Sequence, residues 1–394
     1  MNNLKTPVYV IDEKKLRENC EILKSVQDRS GARILLAQKA FSAYSTYPLI
    51  AEYLFGTTAS GLYEAKLAYE EFHRINEGPN RPEVHVFEPA FHDEEMVDLC
   101  NIADHIVFNS INQLEHHRPI WEKAVSKGQL SVGLRVNPEF STQDGHEIYD
   151  PCAPGSRLGI RLCDMPDRLP EGVEGIHFHT LCEQGFEPLK ETFEFFEKKF
   201  EKFLPDKNDH DNKSALKWIN LGGGHHITKP DYDREGLIKL IKYIKDTYVV
   251  EVYLEPGEAI ALDAGYLITT VMDIVKTDRL PVLILDTSAA CHMPDVLEMP
   301  YRPPLKDSGE LNEKAYNYRL SSRTCLAGDV IGDYSFAKEI KIGDRLTFED
   351  MAIYSMVKNN TFNGMPLPDI AIRRVDGKCE VVKTFGYNDF KIRL

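Results

Sequence analysis

The order of apolar and amphipathic segments predicts an α/β protein, a TIM-like (β/α)8 barrel followed by a C-terminal β domain. Three observations carry this. Eight short apolar runs, near residues 33–38, 55–59, 84–88, 105–108, 131–136, 173–179, 217–221 and 251–255, alternate with helix-like stretches. Eight such repeats over about 250 residues are the pattern of a closed barrel. After Ala261 the alternation ends and strand-like runs follow with turn residues between them. The chain has 394 residues, 42% of them hydrophobic, enough to bury two cores.

In order, the helical stretches run from Asp12 to Gln27 with Asp12 as cap, Gly61 to Phe72, Asp93 to Cys100, and Ser110 to Lys127 with Ser110 as cap; Leu189 to Phe203 and Asp233 to Tyr248 complete the set. The later strands are Tyr266 to Val275, Val282 to Leu285, Arg345 to Glu349, Ile370 to Val375 and Cys379 to Lys383. The expected division is a barrel over 1–265 and, over 266–394, a β domain contributing to the active site. The polar stretch from Pro205 to Ser214 reads as a surface loop.

A net charge of −15 argues against a nucleic-acid partner. Eight scattered cysteines without a CxxC pair fit reduced thiols better than a disulfide frame or a zinc knot. The N-terminus lacks a signal-peptide apolar region and no run approaches a membrane span, so a cytoplasmic enzyme without a membrane partner is the expectation.

The apolar run Ile34-Leu35-Leu36-Ala37-Gln38 ends in Lys39. A buried strand has no structural use for an ammonium at its tip, whereas a partly desolvated lysine is a usable nucleophile toward carbonyl compounds such as pyridoxal phosphate. The bland reading is a lysine that snorkels to solvent. Barrel sites sit at the C-terminal ends of the strands, with phosphates often held after strands seven and eight. Those two ends here read Gly222-Gly223-Gly224 and Glu255-Pro256-Gly257-Glu258. Three glycines allow a backbone close approach to an anion, and a carboxylate beside a pyridine nitrogen keeps it protonated. His179, ending strand six, could lie against a planar ring, or be a satisfied core histidine.

A rival of another class starts from His177-Phe178-His179 and His225-His226, which are like the paired histidines of barrel zinc hydrolases. That reading leaves Lys39, the glycine loop and Glu255 without a task. A pyridoxal phosphate carrier without activity would lack residues 265–394.

From Thr6-Pro7-Val8-Tyr9-Val10 through Ala37-Gln38-Lys39-Ala40, Leu134-Arg135-Val136-Asn137-Pro138, Phe178-His179, the glycine loop, Glu255-Pro256-Gly257 and Thr324-Cys325 to Tyr354 and Thr361-Phe362-Asn363-Gly364, the chain resembles the fold-type III, alanine-racemase-like pyridoxal phosphate decarboxylases of basic amino acids. His179-Thr180-Leu181-Cys182-Glu183, the segment from Cys291 to Pro303, and Cys325-Leu326-Ala327-Gly328-Asp329 are similar to the branch that acts on polyamine carboxylates. The resemblance implies that Lys39 is the Schiff-base lysine, His179 stacks on the ring and Glu255 holds its nitrogen. It further implies that Gly222, Gly223, Gly224, Gly257 and Tyr354 hold the phosphate, that Arg135 lies near the ring face, and that Cys325, from the partner subunit of a homodimer, returns a proton to the substrate carbon. Two positions depart from the broader family: Glu258 replaces an arginine, and Leu181-Cys182 replace small residues.

For the polyamine tail, Asp295, Glu298, Asp329 and Asp333 are the candidate carboxylates, each also readable as a solvated loop residue. A diaminopimelate decarboxylase would instead need cationic groups, for which Arg302 and Arg323 are the candidates. No metal is expected.

Overall fold

The computed structural model describes residues 3–75, 81–143, 147–205 and 215–394. The chain forms two units, one of Asn19–Lys39 and Ala43–Ile260, the other of Met1–Glu18, Ala40–Ser42 and Ala261–Leu394. The surface loop expected up to Ser214 lies, from residue 206 on, outside the described residues.

The first strand, β1 (Val8–Asp12), belongs to the second unit, and the next nine belong to the first. These are β2 (Arg33–Ala37), β3 (Gly56–Ala59), β4 (Glu83–Glu88), β5 (His105–Phe108), β6 (Ser131–Asn137), the two-residue β7 (Ile160–Arg161), β8 (Val173–His177), β9 (Trp218–Asn220) and β10 (Glu251–Leu254). All pair in parallel; the order β5-β4-β3-β2-β10-β9-β8-β6 closes through β5–β6, with β7 as an appendage on β6. This is the closed eight-stranded barrel that the sequence predicts, built from the same eight apolar runs.

Its helices fall on the amphipathic stretches to within a few residues, and two of them start at the caps that the sequence names, Asp12 and Ser110. Asp12 Oδ1 accepts from the N–H groups of Lys14 and Lys15 before helix Glu13–Ser30, Ser110 from Gln113 before Ile111–Ser126, and Asp233 from Gly236 before Arg234–Tyr248. The lower interior is filled by Trp218 with Leu35, Val107 and Tyr253. Gly133 and Gly175 make room for the indole: a Cβ at Gly175 would stand 2.0 Å from it and one at Gly133 2.2 Å.

The other unit carries β11 (Gly265–Val275), β12 (Val282–Leu285), β13 (Ser308–Gly309), β14 (Tyr316–Ser322), β15 (Val330–Phe336), β16 (Arg345–Glu349), β17 (Asp369–Arg373) and β18 (Cys379–Lys383). Its sheet runs β13-β15-β14-β12-β11-β1-β17-β18, with β16 also on β11. Tyr9, Leu267, Leu285, Leu320, Tyr334 and Phe348 lie in its core. Two features differ from the sequence-based expectation. β1 pairs with β11 and β17 in this sheet, whereas the sequence pattern puts it with the barrel, and the unit resumes at Ala261 instead of 266. The sequence-based reading also omits β14 and β15, because Tyr-Asn-Tyr-Arg-Leu-Ser-Ser and Val-Ile-Gly-Asp-Tyr-Ser-Phe mix polar residues into one-sided strands without a long apolar run.

Candidate active site

Lys39 leaves the end of β2 from a rigid footing. Ala37 donates its N–H to Pro256 O at 3.0 Å, and Gln38 donates its own to Thr58 O at 3.1 Å. The Gln38 amide is buried and used at both ends, donating to Glu64 O and accepting from the Tyr47 hydroxyl, each at 2.9 Å. Lys39 keeps solvent access while both its chain neighbours are buried. The surrounding protein lowers its proton affinity, first through desolvation and then through the Arg135 charge, with Glu255 opposing. The product is an amine closer to its neutral, nucleophilic form.

Glu255 follows β10 and is buried. Asn220 donates from Nδ2 to its Oε1 at 2.8 Å, and His177 Nε2 lies 3.4 Å from its Oε2. Burial alone would raise its pKa; His177 and the Asn220 amide outweigh it and hold the carboxyl below the ordinary range. Burial lowers the proton affinity of His177 in turn. Arg135, on β6, is buried with its guanidinium over the Phe87 ring at 4.5 Å, and donates from Nη2 to His179 O at 3.0 Å. Burial brings its pKa down to about 10, which leaves it a cation at neutral pH.

His179 lies two residues past β8. Its Nδ1 accepts the Gly223 N–H at 3.1 Å, so in the neutral ring the proton is on Nε2. Burial, then Lys39 and Arg135, push its pKa well down.

The glycines of 222–224 answer first to packing. A Cβ at Gly223 would stand 2.1 Å from Glu255 O and one at Gly224, whose φ is +82°, 1.9 Å from Leu181 O. The Gly222 N–H goes to Asn220 Oδ1 at 2.8 Å and that of Gly223 to His179. Gly222 and Gly223 therefore fix Asn220 and His179 with the amides expected to face a phosphate. Gly257 is buried and its carbonyl accepts from Ile260 N–H at 3.2 Å. Glu258, in place of the arginine, accepts from His226 Nε2 at 2.8 Å.

The remaining candidates belong to the sheet unit. Tyr354 has φ of 51° and donates its N–H to Ala40 O at 2.9 Å. Cys325 is exposed, with its N–H held by Asn363 Oδ1 at 2.8 Å. Asp295 and Glu298 both meet Lys358, the latter at 3.3 Å. Two tail candidates need correction. Asp329 is fully buried and accepts from Ser288, Ser322 and Thr324 hydroxyls and from the Ala289 N–H, at 2.5 to 2.8 Å. Asp333 is clasped at both oxygens by Arg319 at 2.7 and 2.9 Å. Both carboxylates organise β14 and β15. Arg302 is likewise engaged, with Glu310, Gly309 O and the Tyr334 ring.

The sequence-based reading missed Asn220, which joins Glu255 to the glycine loop. Its signal was a polar residue closing the buried run Trp218-Ile219-Asn220 just before the glycines.

An amine of lowered proton affinity, a buried carboxylate with few neutral donors, and an imidazole of fixed tautomer form a donor set that fits pyridoxal phosphate. The model of the family described as pyridoxal-dependent decarboxylase, C-terminal sheet domain, matches residues 8–352. The chain belongs to this family. The decarboxylase is thus a pyridoxal phosphate enzyme. It is 41% identical to the carboxynorspermidine/carboxyspermidine decarboxylase of Campylobacter jejuni, over 99% of this chain and 98% of that one. To the carboxyaminopropylagmatine decarboxylase of a Synechocystis species it is 37% identical, over 100% and 96%. The crystal structure of C. jejuni carboxynorspermidine decarboxylase complexed with norspermidine superposes with a TM-score of 0.87 at 39% identity, covering 99% of this chain and all of that one.

The zinc hydrolase reading ends here. His177, His179 and Glu255 do form a compact group of possible ligands, but among the described residues neither His225 nor His226 joins it.

Proposed function

We propose that this decarboxylase removes the carboxylate of carboxynorspermidine or carboxyspermidine, giving norspermidine or spermidine in polyamine biosynthesis. The observation that carries it is the 41% identity along nearly the whole chain to the C. jejuni decarboxylase of those compounds. Bound pyridoxal phosphate supplies a carbonyl carbon for amines and a pyridinium that takes up the electron pair left when carbon dioxide departs. Lys39 would hold it covalently, Glu255 would keep its nitrogen protonated, and His179 would lie along the ring. Gly222, Gly223, Gly224, Gly257 and Tyr354 would line its phosphate, with Gly224 holding the loop amide uncommitted among the described residues. Arg135 holds the backbone of His179. The lowered proton affinity of Lys39 would favour the neutral amine, the form that can bond to the cofactor's carbonyl carbon. Cys325 would return a proton to the carbon that lost the carboxylate, from the partner subunit of a homodimer. Asp295 and Glu298 are the acidic pair offered to the polyamine tail. Eight free thiols support a reducing, cytoplasmic setting.

The Synechocystis relative supports a second reading, a tail ending in guanidinium. The likeness to diaminopimelate decarboxylases is a likeness of fold, at 24% identity or less.

The test is carbon dioxide release by the purified holoenzyme from carboxynorspermidine, carboxyspermidine, carboxyaminopropylagmatine and diaminopimelate. Turnover of diaminopimelate alone would overturn the polyamine reading. Borohydride reduction followed by peptide mapping should find pyridoxyl on Lys39. Mixing the Lys39→Ala and Cys325→Ala proteins should restore activity if each site draws on two subunits.

A further inference from the structure

Among the described residues, three groups of ligating side chains are tight enough to share one ion. One is His177, His179 and Glu255, which belongs to the cofactor site. The second is Glu83, His85 and His105 at the base of the barrel. There the two imidazoles are stacked 4.0 Å apart and 9° from parallel, so their in-plane lone pairs run side by side and cannot converge on a point. Glu83 is moreover occupied by Arg33 at 2.9 Å and by the Tyr253 hydroxyl at 3.1 Å.

The third group is differently arranged. Asp93 opens helix Asp93–Ile102, which follows β4, and His116 and His117 lie on helix Ile111–Ser126, which follows β5. The two helices are neighbours in the ring around the barrel. We propose that Asp93, His116 and His117 bind one divalent transition-metal ion of the zinc, nickel or copper class.

His117 is buried, and its Nε2 lies 3.3 Å from the carbonyl oxygen of Phe91. A carbonyl can only accept, so the ring proton is on Nε2 and Nδ1 presents a lone pair. An outer partner that fixes the tautomer in this way is the usual support of a metal-binding histidine. That lone pair meets Asp93 Oδ1 at 3.8 Å, too far for a hydrogen bond and with no proton between two acceptors. A cation between them turns repulsion into attraction.

His116 completes the site from the solvent side. Its Nε2 lies 2.7 Å from the same Asp93 oxygen, and its ring is 80° from that of His117, so the two imidazoles approach from different directions. Donors around a tetrahedral ion with bonds of about 2.0–2.2 Å stand about 3.3 Å apart. The spacings of 2.7 and 3.8 Å straddle that value, and Asp93 and His116 are exposed enough to adjust. When the ion enters, the proton now shared by His116 Nε2 and Asp93 moves to His116 Nδ1, and no net charge is lost from the protein. The open positions of the ion are left to water. Imidazole and carboxylate donors suit this metal class better than calcium or magnesium.

The test is calorimetric titration of Zn²⁺ into the cofactor-loaded enzyme, in which the His177 group is taken, together with thermal melting. The expected result is one site per chain, a melting temperature raised by Zn²⁺, and affinity lowered about tenfold or more in both His116→Ala and Asp93→Asn, in line with the losses seen when metal-site partners are removed. Both positions are exposed, so these variants should fold and keep parent decarboxylase activity. A Cu²⁺ electron paramagnetic resonance spectrum should show coupling to two nitrogens. Equal stoichiometry and affinity in parent and variants, or a Co²⁺ spectrum dominated by thiolate charge transfer, would overturn the site.

Discussion

Asn220 donates its side-chain amide to Glu255 at 2.8 Å while its own carbonyl oxygen holds the Gly222 N–H at 2.8 Å. One side chain at the tip of β9 thus orients the carboxylate at the tip of β10 and the first glycine of the adjoining loop. Replacing it by alanine should loosen both. We expect kcat to fall about tenfold or more, the equivalent of about 1.4 kcal/mol for a lost bond to a charged group. The pH profile should shift upward in its acidic limb as Glu255 becomes easier to protonate. A parent-like kcat and profile would show that Glu255 is held without Asn220.

Asp329 is a structural carboxylate by its contacts. Removing it strands several buried hydroxyl and amide donors, and Asp329→Ala should cost about 3 kcal/mol of stability. Urea unfolding would measure this. The ratio of kcat/KM between carboxynorspermidine and carboxyspermidine should stay as in the parent, whereas a tail-binding role would change it.

Stability should fall as the pH drops below neutrality. Burial pushes His225 down to about 3 and His292 to about 4. An unfolded histidine takes up a proton near pH 6.5. Between about pH 6.5 and those folded values the unfolded chain binds protons that the native one does not. Each histidine then removes up to about 1.4 kcal/mol per pH unit, and its stability contribution is fully present only above the unfolded pKa. Urea midpoints at pH 7.5, 6.0 and 5.0 should decline in that order, more shallowly in His225→Gln. A midpoint that rises on acidification would contradict this account.

Asp295 and Glu298 share the Lys358 ammonium, so the acidic pair already holds a primary amine of the protein's own. If the pair also serves a substrate ammonium, Asp295→Asn should raise KM for polyamine carboxylates about tenfold, the equivalent of about 1.4 kcal/mol, with kcat little changed. Initial-rate kinetics would decide it, and an unchanged KM would leave the pair to Lys358 alone.

The barrel was legible because parallel strands buried on both faces must be continuous apolar runs, and all eight could be counted along the chain. The sheet unit was less so. Its one-sided strands mix polar residues inward and outward, and β14 and β15 passed as loop. The place of β1 was hidden for a different reason: Val-Tyr-Val-Ile-Asp is equally apolar in either sheet, and only its pairing with β11 and β17 assigns it.

At the site, Lys39, Glu255 and His179 could be named from residue type and strand position, because a charged or titratable group at the tip of a buried strand has few structural uses. Their partners could not. The commitments of Asn220 to Glu255, of Gly223 to His179 and of Asp329 to Ser288 are contacts across 35 to 44 residues of chain, and no spacing rule reaches them. The sequence by itself determined the fold class, the cofactor and the kind of chemistry, since those follow from local pattern and residue type. Tertiary structure alone decided which carboxylates are spent on the protein's own donors, since that depends on which donors burial brings within hydrogen-bond reach.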